Sequence, residues 1–325
     1  MKEKVKIGVI RWDAWVGDLN SVGLEVEKCL SSQKYHNRLP FYASLDDNNV
    51  KIRNTTKKTI LNEIEYATNY GINYFAFCWY PFGSGLDTAR NLFLKVNQTK
   101  VKWCLILGTN PFAKEDADWL IGQFSNKNYQ KVNDRPIIYL FDVNKDLLNI
   151  VNYIKINSKN YKPYFIGMVW NEEQARSMND LMKLDALTQY CTPGKNNMIY
   201  NDLIKLEESL WNKYLNINSV IPWITTGWDK RPRYESPVSW EICDNFDIEY
   251  IQYPTTKELK HHLNNAYLFN NKHDNDQVLI YAWNEFDEGG FIEPTLKENR
   301  TIDITKLSAI KEVVDNNEVR LQREK

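Results

Sequence analysis

Eight times along the chain, a short apolar run is followed by a stretch with helical periodicity, and this alternation restricts the fold more than any other feature. The strand–helix pairs read as Val5–Trp12 with Lys57–Tyr70, Tyr74–Tyr80 with Asp87–Val96, Val101–Leu107 with Lys114–Phe124, and Pro136–Phe141 with Leu147–Ile156. Tyr164–Trp170 with Glu172–Leu184, Ala186–Tyr190 with Asn201–Leu215, Val220–Thr225 with Thr256–Phe269, and Val278–Trp283 with Thr305–Val314 complete the set. In the first helix Ile60, Leu61, Ile64, Ala67 and Tyr70 recur at helical spacing, and Gly71 follows as a stop. The strands lack a polar face, as expected of parallel strands covered by helices. Eight such units fit an α/β fold of the closed (β/α)8 TIM-barrel type, which takes roughly 250 residues before insertions. The surplus falls in Val16–Asn54 and Gly227–Thr255, expected to be elaborated loops. An open doubly wound sheet would favour a glycine-rich phosphate turn, and neither G-x-G-x-x-G nor a Walker A pattern occurs. No repeat or low-complexity tract divides the chain, so residues 1–325 read as one domain.

Charge and cysteine use narrow the function classes. Forty-one Lys and Arg against 42 Asp and Glu give a net charge of −1, which argues against a generally basic nucleic-acid binder. No apolar run approaches the roughly 18–20 residues that span a bilayer. The opening MKEKVKIGVI runs straight into a strand pattern and shows no signal peptide. A soluble protein is expected, cytoplasmic or exported after removal of a leader. Cysteines 29, 78, 104, 191 and 243 are widely spaced with no C-x-x-C, so they read as small buried hydrophobes and no metal site is expected. His261 and His262 are adjacent on a helix and diverge rather than chelate. N-x-[ST] sequons at Asn54, Asn97 and Asn299 matter only on a glycosylating route.

A barrel places its chemistry where strands end and the following loops begin. Read at those ends, the chain offers Trp12 and Asp13, Trp79 and Tyr80, Asn110, Trp170, Trp228 and Asp229, and Asn284. Tyr139 and Tyr190 are weaker candidates. Aromatics make up 13% of the chain, and their gathering at one rim suits a cleft whose flat faces pack on the C–H faces of sugar rings. Each has a plainer reading. Trp79 and Tyr80 suit core packing, Asp13 a strand-end salt bridge, and Asp229 a brace for its loop through Arg231 or Arg233.

The sharpest feature is Trp283-Asn284-Glu285-Phe286-Asp287-Glu288-Gly289-Gly290, directly after the last apolar run. Acids crowded at the end of an apolar strand repel one another and cost desolvation, which stability alone seldom tolerates. Glu285 and Glu288 would face opposite ways on a continuing strand. If the chain turns after Phe286, both reach one cavity, and two carboxyls in unequal surroundings are what an acid/base pair requires. The alternative is a loop of solvated acids. Asp287 reads as a supporting group and Glu293 as a surface-loop residue.

Asn284-Glu285-Phe286-Asp287-Glu288-Gly289 with Ile292-Glu293-Pro294 resembles the N-E-W-x-E-G…I-E-P segment of glycoside hydrolase family 99, the endo-α-mannosidases, and of the related WbsX-like proteins. Further matches lie in register at Arg38-Leu39-Pro40-Phe41, Tyr70–Tyr80, Arg135-Pro136-Ile137-Ile138-Tyr139 and Gly227-Trp228-Asp229-Lys230-Arg231-Pro232-Arg233. Phe286 and Asp287 depart from the family's Trp and His, and the segment Gly108-Thr109-Asn110-Pro111 is short beside its WbsX-like counterparts. The resemblance implies a TIM barrel and a retaining glycosidase needing no cofactor, acting on an oligosaccharide or polysaccharide. Carried over by position, Glu285 would take the proton of the sugar's 2-hydroxyl, which attacks its own anomeric carbon to give a 1,2-anhydro sugar. Glu288 would protonate the leaving oxygen. Backside attack needs the 2-hydroxyl trans to the leaving group, which α-mannosides satisfy. A transferase of polysaccharide assembly and a non-catalytic glycan-binding barrel are the competing expectations.

Overall fold

A computed structural model describes residues 4–16, 21–46, 49–52, 56–96, 100–142, 144–195, 197–241 and 250–323. Eight parallel strands form its centre: β1 (Lys6–Arg11), β2 (Tyr74–Cys78), β3 (Lys102–Leu107), β4 (Arg135–Leu140), β5 (Tyr164–Met168), β6 (Ala186–Thr188), β7 (Trp223–Thr225) and β8 (Gln277–Tyr281). They pair in the order β7–β8–β1–β2–β3–β4–β5–β6, with Lys6 opposite Gln277 and Gly8 opposite Tyr74. The ring closes just ahead of β7, where Leu187 of β6 donates to Ser219 O (2.8 Å) and accepts from Ile221 N (2.9 Å). The eight helices are α1 (Lys57–Asn69), α2 (Thr88–Val96), α3 (Lys114–Gln123), α4 (Lys145–Asn157), α5 (Glu172–Met182), α6 (Tyr200–Tyr214), α7 (Thr256–His273) and α8 (Thr305–Arg323), one after each strand. This is the (β/α)8 barrel that the alternation predicts, with every parallel crossover made through a helix.

The element ends depart from the sequence reading for identifiable reasons. Helix α8 runs on past Val314 because its apolar stripe, Leu307, Ile310, Val313 and Val314, is only its inward half. The continuation is polar, and Lys4 pairs with Glu318 there. Strand β8 stops at Tyr281 rather than Trp283: its regular pairing with β1 ends at Val9 opposite Ile280, and beyond it Trp283 N still donates to Ile10 O of β1 (2.7 Å). The two long loops also carry local order. Ser21–Cys29 and Arg231–Glu235 are helical, and Gln33–Arg38 is a 3-10 turn.

The barrel interior is packed with side chains, including the hydroxyls of Tyr74 and Tyr139, which meet at 2.7 Å. A second apolar cluster sits beneath the first loop, where Trp15, Val26, Leu30 and Leu39 pack on Phe286 and Phe291. Cysteines 29, 78, 104 and 191 are buried and unbonded to one another. His262 is buried between Tyr200 and Glu207, whereas His261 stands beside Asn265 on the outer side. Asn299 is exposed and caps its own turn through Thr301. Cys243 and the sequons at Asn54 and Asn97 lie outside the described residues. Among the described residues no helix is long and apolar enough to cross a membrane.

Candidate active site

Past β8 the chain forms a two-residue antiparallel hairpin, Asn284–Glu285 against Gly290–Phe291. Its turn is closed by Gly289 N donating to Phe286 O (3.2 Å). Phe286 packs downward at 5.2 Å from Trp15, and Glu285 and Glu288 thereby face one cleft on the carboxyl-terminal side of the barrel. Gly290 is obligatory here, because a Cβ would lie 2.0 Å from the Tyr281 ring. The first loop holds the hairpin from outside. Arg38 reaches Asp229 O (2.9 Å) and the Asp229 carboxylate, and Phe41 N donates to Pro294 O (2.9 Å).

The cleft has a volume of about 560 Å3, within the range of small-molecule sites. Glu285 and Glu288 are only 4% and 9% exposed, yet their surroundings differ sharply. Glu285 Oε1 accepts one neutral hydrogen bond, from the Tyr190 hydroxyl (2.7 Å). Burial, then the charges of Glu288 and Asp287, push its carboxyl well above the usual range. Glu288 accepts from Arg233 and from the Tyr281 hydroxyl, with the Lys230 ammonium 3.3 Å away. Burial works against its charge, but Arg233 and Lys230 outweigh it and hold the group at about 2. The surroundings therefore favour the ionised form of Glu288 and, within the pair, the protonated form of Glu285. Arg233 is fixed behind Glu288 by Asp287 (2.6 Å) and Glu241 (2.9 Å).

Of the residues expected at the rim, Trp12, Tyr80 and Asn110 line this cleft with the two glutamates. Trp12 Nε1 donates to the Tyr80 hydroxyl (2.6 Å), fixing both rings. The others lie behind or beside it. Asp13 is buried on Arg11 (2.9 Å), and Asn284 accepts from Trp12 N (3.1 Å), so both brace the wall. Trp79 is fully buried beneath the Arg90 guanidinium, and its Nε1 donates to Pro111 O (3.1 Å). Trp228 is buried under the Lys230 ammonium. Asp229 is clamped by Arg38 and Arg231 (2.7 Å), the bracing alternative, and Arg233 is instead spent on the acids. Trp170 is 39% exposed and edge-on to Phe141, beyond the cleft wall. Glu293 is not on the surface: it is buried beside Glu63 and Arg11.

Several cleft residues escaped the sequence reading. Lys230 and Arg233 sit in the G-W-D-x-x-P-R segment, but nothing in the sequence aims them at Glu288. Trp240, 42% exposed and 6.3 Å from Trp12, and Glu241 arrive from the same loop. Tyr190, a weak candidate from its strand end, donates directly to the Glu285 carboxyl.

A closed (β/α)8 barrel with a buried carboxyl pair beyond its last strand defines the class, a TIM-barrel protein with a candidate site at the carboxyl-terminal end of its strands. The sequence model described as "Glycosyltransferase WbsX" matches residues 109–302, and the chain belongs to that family. Among solved structures, the endo-alpha-mannosidase of glycoside hydrolase family 99 from Bacteroides thetaiotaomicron, in complex with BIS-TRIS-propane, superposes with a TM-score of 0.63. It is 13% identical, over 97% of this chain and 98% of that one. A second structure of the endo-alpha-mannosidase from that organism gives 0.60, again at 13% identity, over 95% and 96%. At that identity the likeness is one of fold. No curated protein matches in sequence.

Proposed function

We propose that the chain is a glycoside hydrolase, carried on one (β/α)8 domain over residues 1–325, that cleaves an α-linked, 1,2-trans, mannose-like glycan with retention. The observation that supports this reading best is the carboxyl pair: two buried acids in one cleft, one held ionised by Arg233 and Lys230 and the other pushed toward its protonated form. One carboxylate takes the proton of the 2-hydroxyl as O2 attacks C1. The C1–O bond breaks, and the leaving oxygen takes the proton of the other carboxyl. Water then opens the 1,2-anhydro sugar at C1, giving its proton to the second carboxyl, while the first returns its proton to O2. Two inversions restore the starting anomer. No protein nucleophile is needed, so the usual separation rule for retaining enzymes does not govern the pair.

The resemblance assigns Glu285 to O2 and Glu288 to the leaving oxygen. The charges lining the cleft favour the reverse, since a proton donor must carry a proton at rest and Glu288 is clamped by two cations. Glu285→Gln and Glu288→Gln are each expected to lower turnover of an α-mannoside by roughly 10²–10⁴-fold, with binding of a substrate analogue kept and the first-formed product of the retained anomer by NMR. An α-mannosyl fluoride, whose leaving group needs no proton, separates the roles: the variant of the acid recovers turnover and the variant of the base does not. Initial release of the inverted anomer, or full turnover in either variant, refutes the reading.

The family's description favours a second reading, a glycosyl transfer from an activated donor. It requires turnover that depends on a nucleotide sugar, and the sequence offers no glycine-rich phosphate turn for one.

A further inference from the structure

The rim of the barrel is uneven. The first and seventh loops are long, whereas only residues 108–113 join β3 to α3 and only residues 141–144 join β4 to α4. At this low side lies a second hollow of about 610 Å3 between the starts of α3 and α4. It adjoins the cleft of Glu285 and Glu288, since Thr109 and Asn110 line both. The opening depends on Gly108, whose φ of +101° suits glycine and whose position leaves no room for a side chain. A Cβ there would lie 3.1 Å from Asp142 N.

We propose that this hollow is a second glycan-binding site continuous with the catalytic cleft, so that the substrate is a neutral chain of several sugars threaded across both. The proposal rests on the glycosidase reading of the adjoining cleft. Its lining has the chemistry of sugar recognition. Phe112 and Pro111 offer apolar surface for C–H faces, and Asn110, Asn149 and Lys114 offer groups for hydroxyls. The charges speak against a nucleotide diphosphate. The first turn of α3 carries Glu115 and Asp116 and that of α4 carries Asp146, so both helix starts that would attract phosphate are already faced by carboxylates.

The test compares α-linked manno-oligosaccharides of two and five units. In the wild type, kcat/KM is expected to rise at least tenfold from the disaccharide to the pentasaccharide. Asn149→Trp on α4 and, independently, Lys114→Trp on α3 fill the hollow from opposite sides and should bring that ratio down toward one. Calorimetry with Glu285→Gln protein reads the same preference as binding, and it should collapse in the Glu285→Gln/Asn149→Trp double variant. A length preference that survives both tryptophans, its absence in a wild type that cleaves the disaccharide, binding of neither length, or GDP binding abolished by Asn149→Trp overturns the proposal. Cleavage of neither length with the binding preference intact sinks the glycosidase reading and leaves the second site standing.

Discussion

Glu285 and Glu288 are separated by two residues yet their pKa values are pushed in opposite directions, and the difference comes from burial and from who donates to each. Tyr190 gives Glu285 one neutral hydrogen bond, and that bond favours the ionised form, so it partly offsets the burial that raises the group. Tyr190→Phe therefore moves the Glu285 pKa further up. If Glu285 is the proton donor, the alkaline limb of the pH profile of kcat/KM shifts to higher pH by up to about one unit, and the acidic limb stays. A shift of the acidic limb instead would identify Glu285 as the base. The sequence made the pair legible because three acids beside two glycines at a strand end are hard to explain by stability. It hid the clamp. Arg233 could have braced Asp229, as its neighbour Arg231 does, and only the short helix Arg231–Glu235 turns it toward Asp287 and Glu288. Asp13 and Asn284 read as rim residues for the same reason: strand position gives the end of the barrel but not which way a side chain faces once the strand has ended.

At the scale of elements, the segment leaving β8 is held by a buried group of acids around Arg11. Arg11 pairs with Asp13 (2.9 Å) and Glu63 (2.6 Å), joining β1 to α1, and Glu293 follows the hairpin into the same pocket. Burial, then the neighbouring Glu63, push Glu293 well above the usual carboxyl range, while Arg11 pulls the other way. Folding therefore favours its protonated form, whereas the unfolded chain, with a pKa near ~4.3, releases the proton more readily. Its contribution to stability is thus full at acidic pH and is lost as pH rises. Glu293→Gln keeps the shape without the proton equilibrium. The variant should match the wild type in free energy of unfolding at pH 4 and exceed it at pH 8, by about 1.4 kcal/mol for each unit of the shift. A difference that is flat with pH contradicts the assignment. Sequence position alone reads Glu293 as a surface-loop residue, because nothing local shows that the chain past the hairpin turns it inward toward Arg11 and Glu63. The strands and helices themselves were legible to within a few residues, apart from the polar continuation of α8 from Val314 to Arg323, since periodicities of 2 and 3.6 are local. The hairpin and the loop helices were not, because their form depends on packing against the first loop.

Over the whole molecule, the barrel separates stability from chemistry along its axis. Tyr74 opens β2 at the end remote from the cleft, and its hydroxyl meets that of Tyr139 from β4 inside the barrel. Both are fully buried, so neither hydroxyl can turn to solvent. Removing one leaves the other unsatisfied, at a cost of roughly 1–3 kcal/mol, whereas removing both leaves two apolar rings of almost the same shape. Tyr74→Phe should lower the free energy of unfolding by that amount in urea titrations, and the Tyr74→Phe/Tyr139→Phe double variant should lose no more than the single one. Through all of this kcat/KM should hold within about twofold, because the hydrogen bonds that hold Glu285 and Glu288 come from Tyr190, Tyr281 and Arg233, none of which bonds to either phenol. A loss of activity in step with the loss of stability would mean that the interior stack transmits to the rim. The two ends would then form one mechanical unit rather than a foundation and a site built on it.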